Sequence, residues 1–428
     1  MLASAVDRFA RTSAVLLLLL ALASGFAPSG QAGDDDDDDD EQGKSEPMPE
    51  IAPGYSRAPY LQALGSDSVL IAWIASDPGA PAVDFGTTQE YGRTAAARSD
   101  GSRRSAVLRG LDAGTRYFYR VRAGQRSLAA GTAYSFRTDE GPNDRQFTFF
   151  ATGDLGDTKG RQVATAQSIL RARVRPELGI VCGDVVYNRG RSVDYDRYLM
   201  RPWQDVLSTI PVWPALGNHD WKSPPAKNWE REWYLPNNEH YYSFDYANAH
   251  FIALDSQAGE MYDREHQVAW LKRDLAAHAN ADWIFVYFHH PVITCTYKGN
   301  TQALIDYCLP LFDRYKVDVV FAGHAHTYER LYPLRHGKPV DVEQDPHYKD
   351  PDGTLFIVTG AGGKWKEGRP TTRCGPTAFF RDQTLLWTQV QVQGSRCTIR
   401  SYASENDELV DEVTITKTRL AAAMPGSR

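Results

Sequence analysis

The chain reads as two folded units, an all-β sandwich followed by an α/β domain. Three observations predict this. At 428 residues it exceeds the usual size of one domain. Near residue 140 its rhythm changes, from short strands separated by turns to strands alternating with helical segments. In the second part five polar motifs recur in order, each after an apolar run that reads as a buried strand. They are Gly153-Asp154-Leu155-Gly156, Gly183-Asp184-Val185-Val186-Tyr187, Gly217-Asn218-His219-Asp220, Val286-Tyr287-Phe288-His289 and Gly323-His324-Ala325-His326.

The first segment, residues 1–32, is a leader. Arg8 and Arg11 precede an apolar run, Ala14 to Ala23, followed by small residues. A run this short cannot span a bilayer, which needs about 20 residues, and the pattern is that of a secretory signal peptide. Cleavage is expected after Ala32, with Ala23 and Ser24 as alternatives. No cysteine follows the run, so a lipid anchor has no support, and no other stretch reads as a membrane span. The protein is expected outside the cytoplasm, periplasmic or extracellular. Residues 33–51 contain Asp34 to Asp40 and Glu41, an acidic block that repels itself and stays solvated as a tether. Residues 1–41 hold nine acids and two bases, so the rest of the chain carries 45 of each and is neutral. A general attraction to nucleic acid or anionic membranes is therefore not supported.

Residues 52–138 form the predicted sandwich. Ser68-Val69-Leu70-Ile71-Ala72-Trp73 and Tyr117-Phe118-Tyr119-Arg120-Val121-Arg122 alternate apolar and polar, and no helix-length periodicity interrupts them. This region has no cluster of donor side chains. A polar linker, Asp139 to Asp144, leads to the α/β domain at 145–418. Ala164 to Val174 and Asp263 to His278 carry helical spacing, the second with Val268, Leu271 and Leu275 on one face. Trp387 to Thr416 returns to strand-like alternation and is expected to complete the second sheet. Hydrophobic content of 42%, with 10 Trp and 22 Tyr, supplies core for both units.

Strands that end in glycine and then a polar side chain collect those side chains at one sheet edge, where ligands bind in open α/β sheets. The donors gathered are two carboxylates, a phenol, a carboxamide and three or four imidazoles. That set suits two metal ions, one of them hard and highly charged, and points to hydrolysis. Asp154 and Asp184 are 30 residues apart, Asn218 follows after 34 more, and His289 and His324 are separated by 35. Each interval fits one crossover between neighbouring strands. His219 sits one residue after Asn218 and can face a substrate without binding metal. It is the expected donor to a leaving-group oxygen, with Asp220 expected to orient it.

With these motifs on the page, the chain resembles the purple acid phosphatases of the calcineurin-like metallophosphoesterase superfamily. Gly323-His324-Ala325-His326-Thr327-Tyr328-Glu329-Arg330 and Tyr241-Tyr242-Ser243-Phe244-Asp245-Tyr246 carry the likeness in the second domain. Arg57-Ala58-Pro59-Tyr60-Leu61-Gln62 and the strand of Trp73 carry it in the first, which resembles that family's fibronectin type III-like leading domain. The resemblance implies two sheets flanked by helices in an αββα arrangement. It implies that Asp154, Asp184, Tyr187 and His326 hold Fe(III), that Asp184 bridges, and that Asn218, His289 and His324 hold a divalent iron, zinc or manganese ion. It implies acid phosphatase activity on small phosphate monoesters by in-line attack of metal-bound hydroxide. Phosphodiester or nucleotide hydrolysis at the same site is the alternative, and a binding protein built on an inactive enzyme is a third.

One departure concerns the loop after His289. Where relatives carry histidines that contact substrate, this chain has Thr296-Tyr297-Lys298. Lys298 is the expected phosphate contact in their place, with Tyr297 and His219 beside it. His290 is expected to point away from the site, and Glu329 and Arg330 to pair with one another. Gly360-Ala361-Gly362-Gly363 lacks the Lys-Ser/Thr of a phosphate-binding loop and reads as a tight strand exit near the metals. Of the five cysteines, Cys182 reads as a buried thiol, while Cys295–Cys308 and Cys374–Cys397 are the local disulfide pairings an oxidising compartment allows.

Overall fold

The structure, a computed structural model, describes residues 47–51, 53–128, 134–222, 226–257, 261–366 and 375–418. The leader expected at 1–32 lies outside them, as does most of the acidic tether.

Among the described residues nine strands form the first unit: β1 (Arg57–Gln62), β2 (Ser68–Ile74), β3 (Pro81–Gly86), β4 (Arg93–Ala96), β5 (Arg98–Asp100), β6 (Arg103–Arg109), β7 (Arg116–Ala123), β8 (Arg126–Ser127) and β9 (Tyr134–Arg137). They make two antiparallel sheets, ordered β1-β2-β6-β5 and β4-β3-β7-β8, with β9 paired to β7. Period-2 alternation sends Tyr117, Tyr119 and Val121 of β7 into the core. There Tyr119 stacks on Tyr134, and Tyr117 on Phe136.

The second unit begins with β10 (Gln146–Thr152), α1 (Gln162–Arg171), β11 (Leu178–Cys182), β12 (Val212–Ala215) and the single turn α2 (Asn218–Trp221). It continues through β13 (Tyr242–Tyr246), β14 (Ala249–Ala253), α3 (Arg264–Ala277), β15 (Trp283–Tyr287), β16 (Val319–Ala322) and β17 (Tyr328–Leu331). A small hairpin, β18 (Leu334–Arg335) and β19 (Lys338–Pro339), and β20 (His347–Lys349) lead to β21 (Leu355–Thr359) and β22 (Thr377–Arg381). The chain closes with β23 (Leu386–Gln393), β24 (Arg396–Ala403) and β25 (Leu409–Thr416).

Two seven-stranded sheets result, ordered β12-β11-β10-β23-β24-β25-β20 and β13-β14-β15-β16-β21-β17-β22. The strands that deliver motifs run parallel, β10-β11-β12 in one sheet and β14-β15-β16-β21 in the other. Within each sheet the carboxyl ends of these strands therefore point one way. The sheets meet face to face through aromatic side chains. Phe149 of β10 lies edge-on to Phe251 of β14 and Phe285 of β15, with ring centroids 5.1 and 5.0 Å apart. The alternate residues of the second sheet, Ile252, Ile284 and Val320, turn outward under Leu271 and Leu275 of α3. α1 covers the other sheet, burying Ala166 and Ile169, so helices flank both sheets.

Two differences from expectation concern element placement. α1 ends at Arg171, because Ala172 takes ψ 132° and leaves the helix. The last three strands do not complete the second sheet. They extend the first, β23 pairing antiparallel with β10 from Gln146 to Ala151.

The two units meet at a buried ion cluster. Arg57 of β1 bonds Asp196 and Glu232, and Arg103 of β6 also holds Glu232. The Glu232 side chain is fully buried. Tyr119 Oη donates to the Ser208 carbonyl at 2.7 Å.

Candidate metal centre

Each motif begins where a buried strand stops, and the backbone turns sharply there. Asp154, Asp184 and His324 take φ of 56°, 49° and 67°, a left-handed region that side chains rarely occupy and that concentrates at functional sites. The motif glycines leave room for this crowding. A Cβ on Gly217 would lie 2.1 Å from Asp184 Oδ1, and one on Gly183, itself at φ 80°, 2.6 Å from His289 Nδ1. Backbone N–H groups fix the carboxylates. His219 N–H donates to Asp184 Oδ1 and His324 N–H to Asp154 Oδ2, both at 2.9 Å.

Seven predicted donors converge in two groups. In the first, Tyr187 Oη lies 2.9 Å from Asp154 Oδ1 and 3.1 Å from His326 Nε2, and His326 Nε2 lies 3.4 Å from Asp154 Oδ1. In the second, His289 Nε2 lies 2.9 Å from Asn218 Oδ1, 3.2 Å from His324 Nδ1 and 3.3 Å from Asp184 Oδ2. Asp154, Asp184 and His289 also approach one another closely enough to share ions. Ligand atoms about 2.0–2.2 Å from a metal stand about 3–3.5 Å apart, the spacing seen in both groups. The chemistry of the second group is telling. His289 Nδ1 faces the Cys182 carbonyl at 2.9 Å and so carries its hydrogen there, which leaves Nε2 of the neutral ring with a lone pair. That lone pair looks onto an amide oxygen, a carboxylate and another imidazole nitrogen. Either a proton or a metal ion must lie between such acceptors, and the residues fit a pair of metal ions.

Protonation follows the same logic. Burial opposes a charged His289, but the Asp184 charge and hydrogen bond outweigh it and raise its pKa to about 9. A metal ion entering the second group therefore displaces a proton. Burial would push Asp184 up, yet the His289 and His219 imidazoles hold it well below the usual carboxylate range. His324 is kept neutral by burial and by the nearby His290, His289 and Lys298. Burial and the charges of Asp154 and Asp184 push the Tyr187 phenol well above its usual value.

His219 lies beside both groups, its ring centroid 4.3 Å from that of Tyr187 and its Nε2 4.0 Å from Asp184 Oδ2. Burial, partly offset by Asp184, lowers its pKa. Its orientation comes from an unpredicted source: Nδ1 donates to the Asn188 carbonyl at 2.7 Å. Asp220 does not perform that task. Its carboxylate accepts N–H bonds from Gly217, Val185 and Val186, tying the second and third motifs together.

Other expectations are corrected. His290 does not point away. Its ring lies 4.4 Å from that of His324 and 4.9 Å from that of His289, with Nδ1 3.0 Å from Ser256 Oγ. β15 ends at Tyr287, so strand alternation no longer governs His290. Glu329 and Arg330 do not pair. Glu329 holds Thr294 and the Cys295 N–H, whereas Arg330 binds Asp411 and Asp345. Both local disulfide pairings fail, because Cys308 and Cys397 are buried free thiols, as is Cys182, while Cys295 is disulfide-bonded.

Lys298 reaches the second group's surroundings, since its charge acts on both His290 and His324. Its Nζ lies 5.4 Å from the centroid of Tyr297, whose far neighbour is Lys366 at 5.3 Å. Sequence reasoning missed Lys364. It is buried, with Nζ 3.9 Å from the centroid of the Tyr187 ring. Its position directly after the Gly360–Gly363 run was the available signal.

Comparison with known proteins agrees with this geometry. Residues 58–138 match the model of the purple acid phosphatase N-terminal domain, and residues 147–328 that of the calcineurin-like phosphoesterases. The chain is 25% identical to purple acid phosphatase 18 of Arabidopsis thaliana, over 92% of this chain and 91% of that one. It is also 25% identical to acid phosphatase type 7 of Mus musculus, over 90% and 95%. Its fold is similar to that of the purple acid phosphatase PPD1 from yellow lupin (Lupinus luteus) seeds. The TM-score there is 0.73 at 19% identity, covering 87% of this chain and 78% of the other. A leading β-sandwich, a two-sheet α/β domain and two convergent donor groups thus meet tandem family matches over more than half the chain: it belongs to the purple acid phosphatases, metal-dependent phosphoric monoester hydrolases of the calcineurin-like superfamily.

Proposed function

We propose that the chain is an exported acid phosphatase that hydrolyses phosphate monoesters of small molecules at one ferric and one divalent ion. The observation that supports this most is the pair of acceptor groups, one containing a phenol, with Asp184 between them. In this reading Asp154, Tyr187 and His326 hold the ferric ion and Asn218, His289 and His324 the divalent iron, zinc or manganese, with Asp184 shared. Bound there, the ions supply a nucleophile from water and the positive charge that an in-line displacement at phosphorus needs.

The chain's own residues do the rest. The His219 N–H holds Asp184 in place. The Asn188 carbonyl fixes the His219 ring so that Nε2 faces the centre and, when the ring is the imidazolium, passes its proton to the leaving-group oxygen and becomes neutral. Lys298 contacts the substrate phosphate from the side of His324. Residues 52–138 act as a structural sandwich and 145–418 as the catalytic unit. Export rests on the leader at 1–32, which lies outside the described residues. Among the described residues no helix is long and apolar enough to cross a membrane.

Turnover of p-nitrophenyl phosphate against its bis-ester, with metal content measured on the same sample, tests the reading. Faster monoester hydrolysis with two metals per chain, one of them iron, is expected. A preference for the bis-ester would overturn the substrate assignment, and a fully active protein without iron would overturn the ferric one.

A further inference from the structure

Lys364 is placed by backbone bonds to two of the motifs. The Gly362 and Gly363 N–H groups donate to the Gly153 and Asp154 carbonyls, each at 3.0 Å, and the Lys366 N–H donates to the His326 carbonyl at 2.9 Å. Thr165 Oγ1 bonds the Gly362 carbonyl at 2.6 Å. The packing is too close for any side chain: a Cβ on Gly363 would lie 2.0 Å from the Leu155 carbonyl oxygen. Residues on either side of Lys364 are thus laced to the loops that carry Asp154 and His326, two of the three donors of the first group. Between these anchors the lysine stem is buried, and its ammonium sits 3.9 Å from the centroid of the Tyr187 ring, the third donor.

A cation over an aromatic face is attracted by the ring's quadrupole, and the attraction grows when the ring carries a phenolate charge. A buried ammonium beside a site for a highly charged cation is otherwise unfavourable, because the two repel in a medium of low permittivity. The contact with Tyr187 offsets part of that cost. We infer that Lys364 is a positioning residue that acts through Tyr187, stabilising the phenolate and weakening its electron donation to the ion it binds. This rests on the reading of Tyr187 as a ligand to ferric iron. The consequence is spectroscopic. A phenolate-to-iron charge-transfer band reports the energy needed to move an electron from the ring to the metal. A positive charge nearer the ring than the metal raises that energy.

The test uses the full chain reconstituted with Fe(III) and Zn(II). Three variants are compared with wild type: Lys364→Met and Lys364→Gln, which remove the charge at nearly constant length, and Lys364→Arg, which keeps it. Iron content, band position and the reduction potential of the iron are read for each. The neutral variants should hold iron fully, with the band moved to longer wavelength by about 10–40 nm, the effect of one charge at this distance at an effective permittivity near 20. Their potentials should fall, and Lys364→Arg should stay close to wild type in both readouts. A wild-type band with unmoved bands in both neutral variants overturns the role of Lys364 alone. Loss of iron from both neutral variants also overturns it, because removing a positive charge cannot electrostatically weaken a cation site. An iron-loaded wild type with no band removes Tyr187 from the iron, and the inference about Lys364 with it.

Discussion

At the scale of single residues the centre is a set of lone pairs that only cations reconcile, and its side chains divide by what their loss removes. Asp184 stands between the two donor groups, so Asp184→Ala should release metal from both and cost more activity than any other ligand change. Asn218→Ala should mainly empty the second position. Metal analysis of the purified variants checks both, and near-normal metal content in Asp184→Ala would refute the shared role. Tyr187→Phe should leave the fold intact and bleach the visible band. Lys298 carries a different expectation, because the proposed function has it contact substrate rather than metal. Losing a charge-assisted hydrogen bond costs about 1.5–3 kcal/mol, so Lys298→Ala should raise KM for monoesters roughly tenfold or more with metal content unchanged. Unchanged KM would place Lys298 outside the substrate's reach. The strand-end motifs were legible in the sequence because each goes with a buried strand, most of them with a glycine at the turn, and a strand's end fixes where the next side chain goes. His290, Asn188 and Lys364 were not, because each lies in a loop whose course depends on residues far away in the chain, such as Ser256 for His290 and Gly153 for Lys364.

At the scale of elements, the edge of the second sheet is fastened to α3 by one imidazole. His250 of β14 bonds Asp245 of β13 through Nδ1 at 2.7 Å and Asp274 of α3 through Nε2 at 2.8 Å. His278, just past the helix, stacks on it with ring centroids 3.6 Å apart. Burial opposes a charged His250, but the hydrogen bonds and charges of the two carboxylates win and raise its pKa. Burial likewise pushes Asp245 up, and the bond to His250 outweighs it and lowers its pKa. The raised imidazole contributes stability that is complete below about pH 6.5 and lost as pH rises through its folded value. The lowered carboxyl contributes stability present above about pH 3.9 and lost as pH falls through its own folded value. The pin is therefore strongest in mildly acid solution. His250→Gln should lower Tm most near pH 5, with the deficit shrinking toward alkaline pH, as melting curves across pH would show. A deficit independent of pH would mean that only packing was lost. The sequence signalled α3 and its buried Leu271 and Leu275 through their spacing. It could not show which sheet β23 to β25 join, since alternation marks a strand without naming its neighbour.

At the scale of the molecule, the sandwich and the catalytic unit are joined by charges that neither unit can satisfy alone. Glu232 is buried between Arg57 and Arg103, both from the sandwich, and burial, opposed more strongly by these arginines, leaves its pKa lowered. Removing one partner of a buried ion pair strands the other, at a cost of about 3–5 kcal/mol. Glu232→Ala should therefore lower Tm sharply while the donor groups around Asp184, more than one motif away in the chain, keep their metal. A Tm within a degree of wild type would show the cluster to be dispensable. Two domains were legible from the change of rhythm near residue 140, but their mutual dependence was not, because Arg57 meets its partner 175 residues later. That separation bears on time as well as space. The chain is made from its amino end, so the sandwich's strands are complete well before Asp196 and Glu232 leave the ribosome, and during that interval Arg57 lacks both of these carboxylates. The leading domain must wait half-finished for the trailing one.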